Sequence, residues 1–401
     1  MIDMQNPLRP PYDGPALFSY GFRPLFLAAG LFAAIVVPLW MRVWSGDVVL
    51  NGPFSPLDWH IHEMLFGYTS AVISGFLFTA IPNWTGRMPT RGWPLMLLTA
   101  LWLSGRLAVA GLLGLGPVAV MAVDCGFMLA IGAMITTEIV AGRNWKNLKV
   151  VVPVLLYLVA NITFHLETMT TGSADFGRRL GFAMVAMLIL LIGGRIIPSF
   201  TRNWLVKRSA EPGALPVPFG RFDVLCLGGT LVSLLVWVAW PESVFAGAVL
   251  ILAGALQGLR LLRWRGWRVW SSPLLLMLHL AFGFVPLGLA GLGLAALDQL
   301  PAAIGFHLLG IGGIGGMTLA VMMRASLGHT GRALQAGPVL TLAFACVIAA
   351  ALVRVCFQTS EGLWTAATLW ALGFGIFAVR LAPVLSLPNP ARRAPNAPDR
   401  P

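Results

Sequence analysis

The sequence predicts an all-α, polytopic membrane helix bundle of about twelve transmembrane helices. Hydrophobic residues make up 58% of the chain and charged residues only 10%, with a mean hydropathy of +0.82, whereas a soluble domain carries about 25% charge. Apolar runs of roughly 20 residues, the length that crosses about 30 Å of hydrocarbon, recur from end to end. The formal net charge of +12 gathers in every second connection, which is the positive-inside pattern and not a nucleic-acid-binding face.

A short N-terminal segment, 1–16, precedes the first run. Helices 1 to 4 are expected over 17–43, 59–81, 92–115 and 117–140, helices 5 to 8 over 149–168, 178–200, 222–240 and 243–262, and helices 9 to 12 over 271–296, 299–323, 336–357 and 362–385. The basic connections follow helices 2, 4, 6, 8 and 10: Arg87 and Arg91; Arg143, Lys146 and Lys149; Arg202, Lys207, Arg208 and Arg221; Arg260, Arg263, Arg265 and Arg268; Arg324 and Arg332. The opposite side holds only Arg42, Arg178, Arg179 and Arg354. Both ends of the chain are therefore expected in the cytoplasm, in agreement with an even number of spans. Trp40, Trp44, Trp84, Trp93, Trp204, Trp240, Trp264 and Trp267 fall at the expected interfaces, as an aromatic belt does. Residues 17–387 read as one twelve-span membrane domain and the Pro/Arg-rich 388–401 as a disordered cytoplasmic tail. No basic region with a small-residue cleavage site precedes helix 1, so no removable signal peptide is expected. Cys125, Cys226, Cys346 and Cys356 all lie in spans at no metal-binding spacing, and no C-x-x-C-H haem attachment exists.

An internal repeat underlies the spans. Arg87 follows His62, and Arg332 follows His307, by the same 25 residues, each arginine ending a Thr-Gly-Arg string. Ile197-Pro198-Ser199 on helix 6 parallels Ile81-Pro82-Asn83 on helix 2. With related segments on helices 2, 6 and 10, the chain reads as three consecutive four-helix units.

Six histidines stand in a protein poor in polar residues, and an intramembrane histidine must find a partner or a metal. Topology puts His60, His62, His165 and His307 in the periplasmic half, His279 nearer the midplane and His329 in or beside the cytoplasmic loop after helix 10. Imidazole is the ligand through which helix bundles hold haem and copper, one ring nitrogen binding while the other is oriented by an acceptor. His60, His62, His165, His279 and His307 are therefore metal-ligand candidates, each weighed against a hydrogen-bonded structural role; His329 reads as a turn residue. His60 and His62, about 200° apart around a helix, cannot face one centre while the helix stays regular. Glu63 either complements the helix dipole or orients its neighbouring histidine and carries a proton, and Glu167 has the same two readings. Arg106 and Asp124 lie inside helices 3 and 4, where a mutual ion pair is the default and binding of a haem propionate the alternative for Arg106. The glycines from Gly305 to Gly316 permit either tight helix packing or close approach of a flat macrocycle.

Several strings together resemble the NnrS-type membrane proteins of the bacterial nitric oxide response. They are Tyr20 to Phe26, Trp59 to Gly67, Gly75 to Arg87, Gly194 to Thr201 and Gly310 to Arg332, which span nearly the whole chain. The resemblance implies a twelve-span protein of the bacterial inner membrane that contains haem and copper and protects against nitrosative stress. The plan also looks like that of the haem-copper oxidase and nitric oxide reductase catalytic subunits, whose haem lies between helices 2 and 10. This chain has no histidine on helices 6, 7 or 8 for the usual copper triad. The expectation is a haem b held by His62 and His307, with Arg106 beside it, and a copper taking another set such as His60, His165 and His279. Nitric oxide reaches the site through the lipid bilayer, Glu63 is the catalytic candidate, and an unidentified donor supplies electrons. A secondary transporter exporting a nitrosylated iron or thiol species, or a membrane sensor without turnover, are the competing readings.

Overall fold

A computed structural model describes residues 12–388. The expected tail from 389 onward, and residues 1–11 of the N-terminal segment, lie outside the described residues. The described chain has helices and no strand. The twelve long helices are α1 (Phe22–Trp44), α2 (Pro56–Thr85), α3 (Trp93–Val109), α4 (Pro117–Ala141), α5 (Val151–Thr171), α6 (Asp175–Val206), α7 (Arg221–Ala239), α8 (Val244–Leu262), α9 (Pro273–Ala296), α10 (Ala302–His329), α11 (Gly337–Cys356) and α12 (Ser360–Ser386). Eleven are long and apolar enough to cross a membrane, and α3 is a shorter apolar helix. The protein is a multi-pass membrane bundle.

Helix α3 ends six residues before its apolar run does. Gly111 and Gly114 take left-handed backbone conformations there, and Gly111 lies so close to the Asn51–Gly52 backbone that no side chain fits. Arg260, expected in a basic connection, is instead buried on α8, where its Nε donates to Asp223 Oδ1 of α7 at 2.9 Å. An apolar window cannot show that a partner carboxylate waits on the neighbouring helix.

Sequence neighbours pack side by side, and the chain closes on itself where α1 meets α12. The Arg23 guanidinium donates to the carbonyls of Leu385 and Leu387 at 2.9 Å each, and Trp370 Nε1 donates to Ala33 O at 2.9 Å. Helices α2, α6 and α10 meet centrally: α6 packs on both others, and Tyr68 of α2 bonds Thr318 of α10 through their hydroxyls at 2.7 Å. The repeat seen in the sequence is also a repeat of conformation. A π-helical segment follows His62 (Glu63–Tyr68) and another follows His307 (Leu308–Gly315). The matching glycines past the two helix ends, Gly86 and Gly331, both have φ 69°.

Candidate metal centre

The centre is built around the widened turn in α2. Ser55 caps the helix, its Oγ accepting from the Asp58 amide at 3.2 Å, with Pro56 in the first turn where it is tolerated. Regular winding ends at His62. A π turn releases carbonyls from the ordinary ladder, and such turns recur at functional sites. Here neighbouring helices take up the carbonyls. Tyr157 of α5 donates to Leu65 O at 2.6 Å, Thr69 Oγ1 donates to the same oxygen, and Trp102 Nε1 of α3 donates to Gly67 O at 2.9 Å. Tyr157→Phe leaves Leu65 O with Thr69 alone. The expected result is a loss of about 1 kcal/mol, read by thermal unfolding in detergent, with metal content unchanged.

Six polar side chains converge at the bulge, all buried. His62 Nε2 lies 3.1 Å from Asp124 Oδ2 and 3.0 Å from Asn161 Oδ1, and His165 Nε2 lies 3.1 Å from the same Asp124 oxygen. Asn161 Nδ2 donates to that oxygen at 2.7 Å. His62 Nδ1 stands 3.1 Å from Glu63 Oε1, to which Arg106 Nη1 donates at 2.6 Å, while Arg106 Nη2 bridges to Asp124 Oδ1. Gly67 makes room for this, since a Cβ there would collide with the Arg106 guanidinium and Glu63 Oε2. One ligand atom each from His62, Asp124 and His165 lies within 4.8 Å of the others. Two carboxylates face one guanidinium, so with neutral imidazoles the formal charge is negative and a cation complements it. Phe54 packs against both imidazoles, with ring centroids 4.8 Å from His62 and 4.9 Å from His165, and Phe164 lies 5.3 Å from His62. These apolar walls keep the local dielectric low, which strengthens each charge interaction.

A second pair of histidines is formed by His60 of α2 and His307 of α10. His307 Nδ1 donates to Ala303 O at 2.6 Å, leaving Nε2 as the acceptor nitrogen, the posture of a metal-ligating imidazole. His60 stacks on Trp40 at 4.1 Å between centroids, and its Nδ1 has no hydrogen-bond partner. His60 is within electrostatic reach of His307, and both are within reach of Arg354.

The structure thus sorts the histidines differently from the sequence expectation. Both nitrogens of His62 are engaged by Glu63, Asp124 and Asn161, and the imidazole brought near His307 is His60. The set His60, His165 and His279 is not brought together. His279 sits in the first turns of α9, at the opposite end of the bundle, bonded through Nε2 to Thr201 Oγ1 at 2.9 Å. His329 ends α10 beside the Phe22 ring. Glu167 caps α6, accepting from the amides of Phe176 and Gly177 at 3.0 and 2.6 Å. Glu63 Oε1 lies between His62 Nδ1 and Arg106, and Arg106 pairs with both Glu63 and Asp124. Most of the α10 glycines serve packing: added Cβ atoms would meet Phe284 at Gly312, Trp370 at Gly315 and Ala281 at Gly316. Asn161 went unnoticed in the sequence although it precedes His165 by four residues, the spacing that shares a helix face.

A family model described as NnrS protein matches residues 16–389. No curated protein matches the chain.

Proposed function

The chain belongs to the NnrS family, and from that premise we propose that it binds and converts nitric oxide at a transition-metal centre held by His62, Asp124 and His165 inside the membrane bundle. The observation that carries this reading is the convergence of three ligand atoms of suitable chemistry, on three different helices, within 4.8 Å. The donor set fits a metal ion: two imidazole nitrogens, one carboxylate oxygen, and a second carboxylate behind one imidazole. Copper is the metal that the family resemblance implies here.

For haem b, the posture of His307 supports an axial-ligand role, with His60 as its neighbour and Arg354 as a cation for a propionate. The α10 glycines give it little support, because neighbouring helices already fill most of their faces. A bound redox metal would supply one-electron chemistry and an attachment point for nitric oxide. The chain's own residues do the rest. Glu63 orients His62 and is the group placed to hand over a proton, Arg106 keeps both carboxylates in position, and Phe54 and Phe164 keep water away. Nitric oxide, small and apolar, enters from the lipid. The protein would lie in the cytoplasmic membrane with both ends inside, as the charge pattern supports.

The test compares wild type, His165→Ala and His307→Ala in mild detergent for metal content, reduced-minus-oxidised visible spectra and nitric oxide consumption. His165→Ala is expected to lose metal and to slow consumption at least about tenfold while keeping a b-type spectrum; His307→Ala is expected to lose that spectrum. Consumption untouched by both substitutions would overturn the proposal, and a colourless, metal-free wild type would favour export of a nitrosylated species.

A further inference from the structure

We propose that the ion for which the His62–Asp124–His165 centre is built is ferrous iron rather than copper. This rests on the reading of those residues as a metal centre and goes one step further, to the class of ion.

The donor set is the first argument. Imidazole accepts iron, copper and zinc alike, so the third ligand discriminates. Cuprous copper favours soft thiolate and thioether sulfur, whereas two histidines and one carboxylate with open positions are the set of non-haem ferrous sites. Among the described residues no cysteine joins this cluster. Asp124 is also the hub of the arrangement. Its Oδ2 is shared by His62, His165 and Asn161, while Arg106 holds Oδ1, so the carboxylate cannot swing away without uncovering the guanidinium.

Spacing is the second argument. Metal–donor bonds of about 2.1 Å put ligand atoms about 3.0 Å apart at right angles and about 3.4 Å apart at the tetrahedral angle. Both imidazole nitrogens lie 3.1 Å from Asp124 Oδ2, the spacing of neighbouring ligands in a six-coordinate site. The same 3.1 Å also suits the hydrogen bonds of the ion-free cluster. Three protein ligands leave open positions on a six-coordinate ion. The Glu63 carboxylate on His62 Nδ1 supplies the outer acceptor that orients a metal-binding imidazole.

The test strips the detergent-solubilised protein with a chelator and reloads it anaerobically with ferrous, cuprous and zinc ions, singly and in competition, after haem content has been fixed by pyridine haemochrome. Retained metal per chain is measured, and nitric oxide is added as a probe for electron paramagnetic resonance. The expected result is stoichiometric non-haem iron with the quartet signal of a six-coordinate ferrous nitrosyl, distinct from the doublet of haem. Both are expected to be lost in His165→Asn, whose amide can still hydrogen-bond Asp124, while the haem spectrum stays. His165→Cys, adding a thiolate, is expected to shift retention toward copper and zinc. Asp124→Glu, which keeps the charge facing Arg106, serves as a second variant and is expected to retain the fold but bind iron at least about tenfold more weakly. Stoichiometric copper or zinc in the wild type, dependent on His165 and preferred over iron, would overturn the iron assignment and leave the metal centre standing. No metal dependent on His165 would overturn both.

Discussion

Asp124→Leu is expected to be among the most damaging single substitutions in the chain, costing about 3–5 kcal/mol and abolishing metal binding at the centre. The leucine fits the space but removes the acceptor shared by His62, His165 and Asn161 and one of the two carboxylates facing Arg106. Arg106 is 6% exposed in its side chain and its Nε already lacks a partner, so its charge can be compensated only by Glu63. Breaking one member of a buried charge network costs more than the network contributes, because the remaining charge has lost water as well as its partner. For the same reason, adding Arg106→Met to Asp124→Leu is expected to recover part of the stability and none of the metal. Thermal unfolding in detergent, paired with metal analysis, reads both effects. A loss below about 1 kcal/mol for Asp124→Leu, the value of an exposed pair, would contradict the burial of this network.

Gly305→Val is expected to destabilise the bundle by about 1–3 kcal/mol and to disturb the His307 site while leaving iron or copper at Asp124 in place. Gly305 lies against the α9 backbone at Gly291 and Leu292, where an added Cβ has no room. Backbone cannot turn aside as a flexible side chain can, so α10 must move away from α9. The displacement begins two residues before His307, whose Nδ1 bond to Ala303 O depends on the same first turns of α10. His62, Asp124 and His165 stand on α2, α4 and α5 and do not touch this contact. The expected signature is a lowered unfolding temperature with a weakened haem spectrum and unchanged non-haem metal. Loss of metal from the Asp124 centre would show instead that the two histidine sites are one unit.

The sequence by itself determined the class of this protein. Twelve helices in a membrane bundle follow from how apolar residues and charges are distributed along the chain, a one-dimensional property that needs no knowledge of which helices touch. It also pointed to α2 and α10 as a related pair, because equal spacing from histidine to Thr-Gly-Arg is countable, and the structure shows that both helices carry a π turn and, past the helix end, a left-handed glycine at the same offsets. Glu63, Arg106, Asp124 and the histidines stood out for the same reason, as polar residues where few are tolerated.

Which of them meet was decided by the tertiary structure alone. Partnership depends on the rotation of each helix about its axis, and one residue turns a helix face by about 100°. The widened turn after His62 is held by Tyr157 and Trp102 from two other helices, so no local pattern announces how α2 is wound there. His60 and His62, two residues apart, accordingly face different neighbours: Trp40 and His307 on one side, Asp124 and His165 on the other. Composition could say that these side chains needed partners. Only the packing of α3, α4 and α5 around the bulge made Asp124 the one they share.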